Sequence, residues 1–435
     1  MMSPELICGL GFLAVIALLL ARAPIGVALG LIGVIGLALV ISPEAAIIKS
    51  GVVAWETASR YELGVLPLFL LMANVLFSAG VSSLLFDAAA KFIGHKPGGL
   101  ALASIIGCAG FGAVSGSSLA TAATMGLVAV PEMRKAGYDP KLATGALAAG
   151  GTLGSLIPPS AALIVFGVIA EQSIRKLFMA GIVPALSQAA FYMLVIFLLC
   201  LRNPALGPAQ PRANWAARFK ALRAIADIVV LVLGVLTGIM IGWFTPTEAA
   251  SVGAIGALGI AAWRKKLSKA MLIDALMKTL QTAGMIYLVI IGALVFSAFV
   301  SATDFAAFVS RLVDALPGGA LGAVIGMAVI LLVLGTFIDG MGIMLLTTPI
   351  FLPVIESHGL SPVWFGIFLV RTMEIGLVHP PVGMNIYVIH GIARDVSVMK
   401  IFSGVLPFLA ADFIHLALLI AFPIIALWLP QILGA

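Results

Sequence analysis

An all-α polytopic membrane protein made of two inverted repeats is the fold class this sequence predicts, on three observations. The chain is far too apolar and too poor in charge for a soluble domain. A pattern of Gly and Pro in its first half recurs in its second. The loops flanking the two copies differ in charge in the way that opposite sides of a membrane require.

Of 435 residues, 62% are hydrophobic and 10% charged, against about 25% charged in soluble domains. Apolar runs follow one another along almost the whole length, each near the ~20 residues that a spanning helix needs. The longest polar stretch, about Arg202 to Asp227, is too short to build a second, soluble core. The first run, Leu6 to Leu20, has no basic segment before it, carries Glu5, and is followed by Arg22 and another apolar run, so it reads as a retained helix rather than a signal peptide. Cys8, Cys108 and Cys200 stand alone in apolar surroundings, without metal-ligand spacing, and read as small core residues. The net charge of +6 fits cytoplasmic loops rich in Lys and Arg and does not argue for nucleic acid.

The repeat shows in Gly and Pro. "PEMRKAGYDP" (Pro131 to Pro140) and "PVIESHGLSP" (Pro353 to Pro362) share Pro, Gly and Pro at identical spacing, 222 residues apart. At the same offset Gly154 falls on Gly376, and Pro158-Pro159 falls on Pro380-Pro381. One inserted residue later, "AGIVP" ending at Pro184 meets "SGVLP" ending at Pro407. These identities are residue types that encode backbone shape. A proline pair inside an apolar run removes helix hydrogen bonds, so each copy contains one broken helix. The copies divide the chain into residues 1–201 (hairpin about 98–130, broken helix about 142–170), a cytoplasmic connector at 202–225, and residues 226–435 (hairpin about 318–352, broken helix about 363–393).

Charge orients the copies. The loop of the first carries Arg134, Lys135 and Lys141; its counterpart has Glu356 and no Lys or Arg. Basic loops face the cytoplasm, so the two lie on opposite sides. The clusters Arg202/Arg212/Arg218/Lys220/Arg223 and Arg264/Lys265/Lys266/Lys269 are then cytoplasmic, and the run between them turns outside at Gly242 to Glu248. Lys91 and Lys96 fall inside, Asp304 and Asp314 outside, and both termini outside. This threading requires two re-entrant hairpins, bending at "AVSGSSLAT" (Ala113 to Thr121) and "GTFIDGMG" (Gly335 to Gly342). Irregular backbone at such depth is tolerated where it is buried or lines a polar cavity, and inverted repeats with broken helices are a transporter signature.

At each break the preceding half-helix offers carbonyls, suited to a cation, and the next offers amides, suited to an anion. Ser115, Ser117, Ser118 and Thr121 can complete one cation shell, and Thr336 with Asp339 a second; Na⁺ prefers such oxygen ligands. Close packing of small residues is the competing reading of the Ser-Gly-Ser-Ser tip. Arg371 and Glu374, three residues apart, are expected to neutralise each other, with a role in binding as the alternative. His379 precedes the second proline pair and is expected to face solvent or ligand as a neutral hydrogen-bonding group. His95, His358, His390 and His415 are expected at interfaces or in loops.

Seven segments, "SGSSLATAATMG", "VPEMRKAGYD", "GGTLGSLIPPS", "LFMAGIVP", "WFTPTEAA", "GTFIDGMG" and "IGLVHPPVGMN", resemble in order the large membrane subunit of tripartite ATP-independent periplasmic (TRAP) transporters, over essentially the whole chain. The resemblance implies an elevator, in which a scaffold holds a mobile domain of two hairpins and two broken helices. It implies Na⁺-coupled uptake of an organic anion, a carboxylate or sialic-acid type, in the bacterial inner membrane, with no cofactor beyond the coupling ion. The implied partners are a periplasmic substrate-binding protein and a separate small four-helix membrane subunit. By position, Ser115, Ser117 and Ser118 with Gly151, Gly154 and Pro158 would form a first Na⁺ site. Gly335, Thr336 and Asp339 with Gly376 and Pro380 would form a second. Ser118, Thr121, Ser160, Arg371, His379 and Asn385 would meet the substrate. One position departs from the family: its second break usually reads Thr-Pro-Pro, and here His379 replaces the threonine, which puts a hydroxyl ligand there in doubt.

Two other readings stand beside this one. A stand-alone Na⁺/dicarboxylate symporter shares the hairpin-and-break architecture. A membrane-embedded enzyme is disfavoured, because there is no HExxH, no paired aspartate motif and no base placed beside the serines. The chain contains no GxxxxGK[ST] phosphate loop, which excludes an ATP-driven pump.

Overall fold

The computed structural model describes residues 3–314, 318–336 and 338–434, less the side chains of residues 306, 310 and 312–314. Asp314, assigned above to an outer loop, and Phe337 of the second tip therefore lie outside the described side chains. Every regular element described is helical. Among the described residues, six helices are long and apolar enough to cross a membrane, seven if one bent pair counts as a single span.

The first hairpin consists of Gly99–Ser115 and Ser118–Lys135, the second of Gly319–Gly335 and Gly340–Ser357. Their second arms run about five residues past the expected ends. Pro131, Pro349 and Pro353 sit within these helices rather than ending them, as membrane helices allow where neighbours re-satisfy the freed carbonyls. Each second arm starts at a capped tip. Ser117 accepts from the Ala120 amide at 3.4 Å, and Asp339 accepts from the Met341 amide at 2.9 Å, which satisfies one of the unpaired donors of a helix start.

The broken helices follow at once. Gly137 and Gly359 hold φ of +77° and +71°, turns that glycine adopts without a Cβ penalty, so the shared Gly of the repeat is a backbone requirement. Asp139-Pro140 and Ser361-Pro362 then start the helices with a side-chain cap and proline in the first turn. In the first copy Pro140–Leu156 and Ala161–Ile169 meet at 42°. In the second, Pro362–Gly376 gives way to Met384–Ile392. The Pro158–Pro159 and Pro380–Pro381 bonds are both cis.

The copies interlock reciprocally. Ser118–Lys135 packs on Met384–Ile392, and Gly340–Ser357 packs on Ala161–Ile169. Pro140–Gly151 packs on the long helix Val398–Ala421, and Pro362–Gly376 on its equivalent Ile174–Arg202. Exchange of this kind is what two units related by a twofold make. The remaining helices form a frame in which Lys269–Ser301 lies along Ile25–Val40 and Val65–Ser78. The connector is less free than its composition suggests. It bonds the base of the first hairpin through Gly98 N–H to Gly207 O (2.8 Å) and Gln210 N–H to Gly94 O (2.9 Å), and becomes helical from Trp215.

Candidate functional site

Both tips and both breaks meet around one cavity of about 210 Å³. The first tip brings Ser115, Gly116, Ser117 and Ser118; the second brings Asp339, Gly340 and Met341. Ser155 comes from the first broken helix, Glu374 from the second, and Thr282 from the frame helix Lys269–Ser301. A larger recess, about 660 Å³, opens between Arg60, Glu62, Glu171 and Arg175. It touches neither tip nor proline pair, and its arginines are spent on backbone carbonyls, Arg60 on Val168 and Arg175 on Met240.

The tips reach the breaks because glycine meets glycine or backbone there. A Cβ on Gly154 would lie 2.5 Å from Thr121 Oγ1 and 2.6 Å from Ser117 O, and one on Gly376 would lie 2.8 Å from Gly335 Cα. The first tip also receives a bond across the break, from Ala161 N–H to Gly116 O at 3.3 Å. With the tip seated, Ser118 Oγ donates to Glu374 Oε2 at 2.5 Å and lies 2.8 Å from Ser155 Oγ. Its backbone N–H donates to Ser155 Oγ at 3.3 Å. Ser115 and Thr121 pair with each other at 2.9 Å.

The predicted site residues take different places. Ser115, Ser117, Ser118 and Asp339 line the cavity; Gly151, Gly154 and Gly376 are the close-packed floor on which the hairpins sit, and Gly335 is the part of the second tip that meets Gly376. Pro158 and Pro380 sit at the breaks themselves. Thr336 spends its hydroxyl on Val333 O (2.7 Å). Thr121, Ser160, Arg371, His379 and Asn385 do not line the cavity. Ser160 caps Ala161–Ile169, accepting from Leu163 N–H at 3.2 Å. Asn385 donates to Ala148 O at 3.1 Å, and the His379 ring stands edge-on to Phe413.

Two expectations are overturned. Arg371 and Glu374 do not pair: Arg371 Nη2 bonds Asp412 Oδ1 at 2.7 Å, while Glu374 turns to Ser118. His415 is not interfacial. It is 1% exposed and bridges Arg371 Nε (3.2 Å) and Ser187 Oγ (2.8 Å). Asp412 in turn accepts from Gln188 at 3.2 Å, and Gln188 bonds Tyr192, which reaches Thr152 at 3.0 Å. Sequence reasoning missed Ser155, Asp412 and the placement of Glu374. Both carboxylates sit in apolar runs, where an ionisable residue is a functional candidate by default; that was the available signal.

Among the described residues that line it, the cavity thus carries two carboxylates, Asp339 and Glu374, and no Lys, Arg or His. Its hydroxyl and carboxylate oxygens are hard donors of the kind that hard cations prefer.

The profile of the family described as "Tripartite ATP-independent periplasmic transporter, DctM component" matches residues 12–425. The C4-dicarboxylate TRAP transporter large permease protein DctM of Pseudomonas aeruginosa is 33% identical over 413 residues, covering 93% of this chain and 94% of that one. The sialic acid TRAP transporter large permease protein SiaM of Vibrio cholerae is 32% identical over 375 residues, covering 86% and 87%. Among solved structures, the Alcanivorax borkumensis YdaH transporter matches with a TM-score of 0.62 over 96% of this chain and 98% of that one; at 14% identity this is likeness of fold.

Proposed function

Since the chain belongs to the DctM component family of tripartite ATP-independent periplasmic transporters, and is thus a transporter and not an enzyme, we propose that it imports an organic acid with Na⁺ as coupling ion. The observation that carries the coupling is the cavity lining, which has two carboxylates and no basic group among the described residues. In their ionised form these carboxylates would repel an anionic substrate. Cations bound first would remove that repulsion, and linkage makes the effect reciprocal: substrate then tightens the cations. Relatives are named for C4-dicarboxylates and sialic acid, and a carboxylate is what these share.

In this reading the hairpins and broken helices move as one body against the frame around Lys269–Ser301, an elevator in the bacterial inner membrane with both termini periplasmic. A periplasmic binding protein delivers the substrate, and a small four-helix membrane subunit joins the frame. Uptake into proteoliposomes tests this. An inward Na⁺ gradient with both partners present should drive accumulation, and its absence should abolish it. Uptake by this chain alone, without a binding protein, would favour the stand-alone symporter.

Asp339 gives a sharper expectation. It both lines the cavity and caps Gly340–Ser357. Asparagine caps as well as aspartate, so Asp339→Asn keeps the helix start and removes the charge. Na⁺-dependent uptake should be lost with expression near normal, and Asp339→Ala should lose it too. If uptake and its Na⁺ dependence were unchanged, Asp339 would be removed from the ion site.

A further inference from the structure

We propose that an anionic phospholipid binds where the helices Val81–Ile93, Gly99–Ser115 and Trp215–Met240 meet, with its phosphate on Arg218 and one acyl chain in the groove below. The site lies away from the tips and breaks, and it does not depend on the Na⁺-coupled reading.

Arg218 is 5% exposed, although it stands in the first turn of Trp215–Met240. Its guanidinium carbon lies 5.8 Å from the centre of the Phe92 ring and 4.9 Å from that of Trp215. Nε and Nη2 are buried without a hydrogen-bond partner among the described residues. Ring faces attract the charge but do not neutralise it, and a buried charge lacking a counter-charge is strongly disfavoured. These two nitrogens form one edge of the guanidinium, the fork that engages two phosphate oxygens at once. Below Arg218 the same helix face continues as Leu222, Ile225 and Val229. With Phe92, Ile106 and Gly110 they line a groove of about 330 Å³, and no described lining residue is polar. Ile106 and Leu222 are left 42% and 46% exposed in it. Arg218 and Val229 stand about 16 Å apart along the helix axis, close to the ~15 Å that one leaflet contributes to the hydrocarbon core.

Charge selects a lipid as the occupant. Lys220 and Arg223 are exposed on the same helix, beside the connector whose basic residues mark the cytoplasmic side. The membrane surface there is negative, and basic pockets between helices at that level take anionic headgroups. Trp215 is 61% exposed at the head of the groove, as a residue at the membrane–water interface is. The groove is also a seam. Trp215–Met240 packs on Pro246–Trp263 of the frame, whereas Ile106 and Gly110 belong to the first hairpin. A deformable acyl chain fills that seam without locking the hairpin to the frame.

The test is thermal unfolding of the purified full-length chain in detergent, titrated separately with dioleoyl phosphatidylglycerol, dioleoyl phosphatidylcholine and inorganic phosphate. Phosphatidylglycerol should stabilise wild type in a saturable way, and the other two should do so far less. Arg218→Met keeps an apolar stem and removes the fork, so half-saturating phosphatidylglycerol should rise about tenfold or more. Leu222→Trp fills the groove while leaving Arg218 in place, and it should raise the midpoint as well. Should Arg218→Met not fold, Leu222→Trp decides: a raised midpoint supports the site and an unchanged one overturns it. Equal stabilisation by inorganic phosphate would overturn the lipid, leaving a plain anion site. Equal stabilisation by phosphatidylcholine, or an unchanged midpoint in both variants, would overturn the site itself. Loss of the phosphatidylglycerol response once the small membrane subunit is bound would also overturn it, making the groove a protein interface.

Discussion

Replacing Arg371 by methionine is expected to cost the folded protein about 3–5 kcal/mol, and replacing Asp412 by leucine a similar amount, yet the double replacement should recover most of the loss. Both side chains are fully buried, and their ion pair is 2.7 Å long. Removing one partner leaves the other as an uncompensated charge, and that penalty dominates each single variant. Removing both deletes the penalty together with the attraction, so the two effects should be strongly non-additive. Thermal unfolding of the four proteins gives the cycle directly. Additive losses would mean that His415 and Gln188, which also contact the pair, hold these charges independently of each other. Neither residue lines the cavity, so a folded double variant should keep its Na⁺-dependent uptake.

Gly154→Val should abolish most uptake without removing the protein from the membrane. Any Cβ there runs into the backbone of Ser117, at 2.6 Å, and a carbonyl cannot swing aside as a long side chain does. The first tip must lift from the break, separating Ser118 from Ser155 and Glu374. Overpacking of this kind costs about 1–3 kcal/mol, equivalent to roughly 5- to 150-fold in the population of the seated state. Gly376→Val should act alike on the second tip, since its Cβ would meet Gly335 Cα at 2.8 Å. Gly51→Ala is the control, because nothing lies within 4 Å of the added carbon. Uptake by Gly154→Val at the wild-type rate, with normal expression, would show that the tip need not sit on the break.

Much of the fold was legible because it is written in residues that act on their own backbone. The proline pairs break their helices wherever the chain goes, and Gly137 and Gly359 turn it whatever surrounds them. Hence the repeats, hairpins and breaks lie where the Gly and Pro pattern puts them, and only the ends drift, as at Pro131 and Pro353, where neighbouring helices let an arm continue through proline. Half of the site was legible for the same reason. Ser117 and Asp339 sit at helix starts, and a tip between two apolar arms announces itself. His415 was misplaced because nothing local distinguishes a buried histidine from an interfacial one.

What the sequence determined by itself, then, is the membrane-embedded helical architecture, its internal duplication and the four irregular segments that face one another. The tertiary structure alone decided which charges meet. Arg371 and Glu374 stand three residues apart and would satisfy each other in an isolated helix, but Arg371 pairs 41 residues away and Glu374 256 residues away. The reason is desolvation. Once a charge is buried, the partner that packing delivers at hydrogen-bond distance outweighs the weak preference of helix neighbours, and packing is a property of the whole chain.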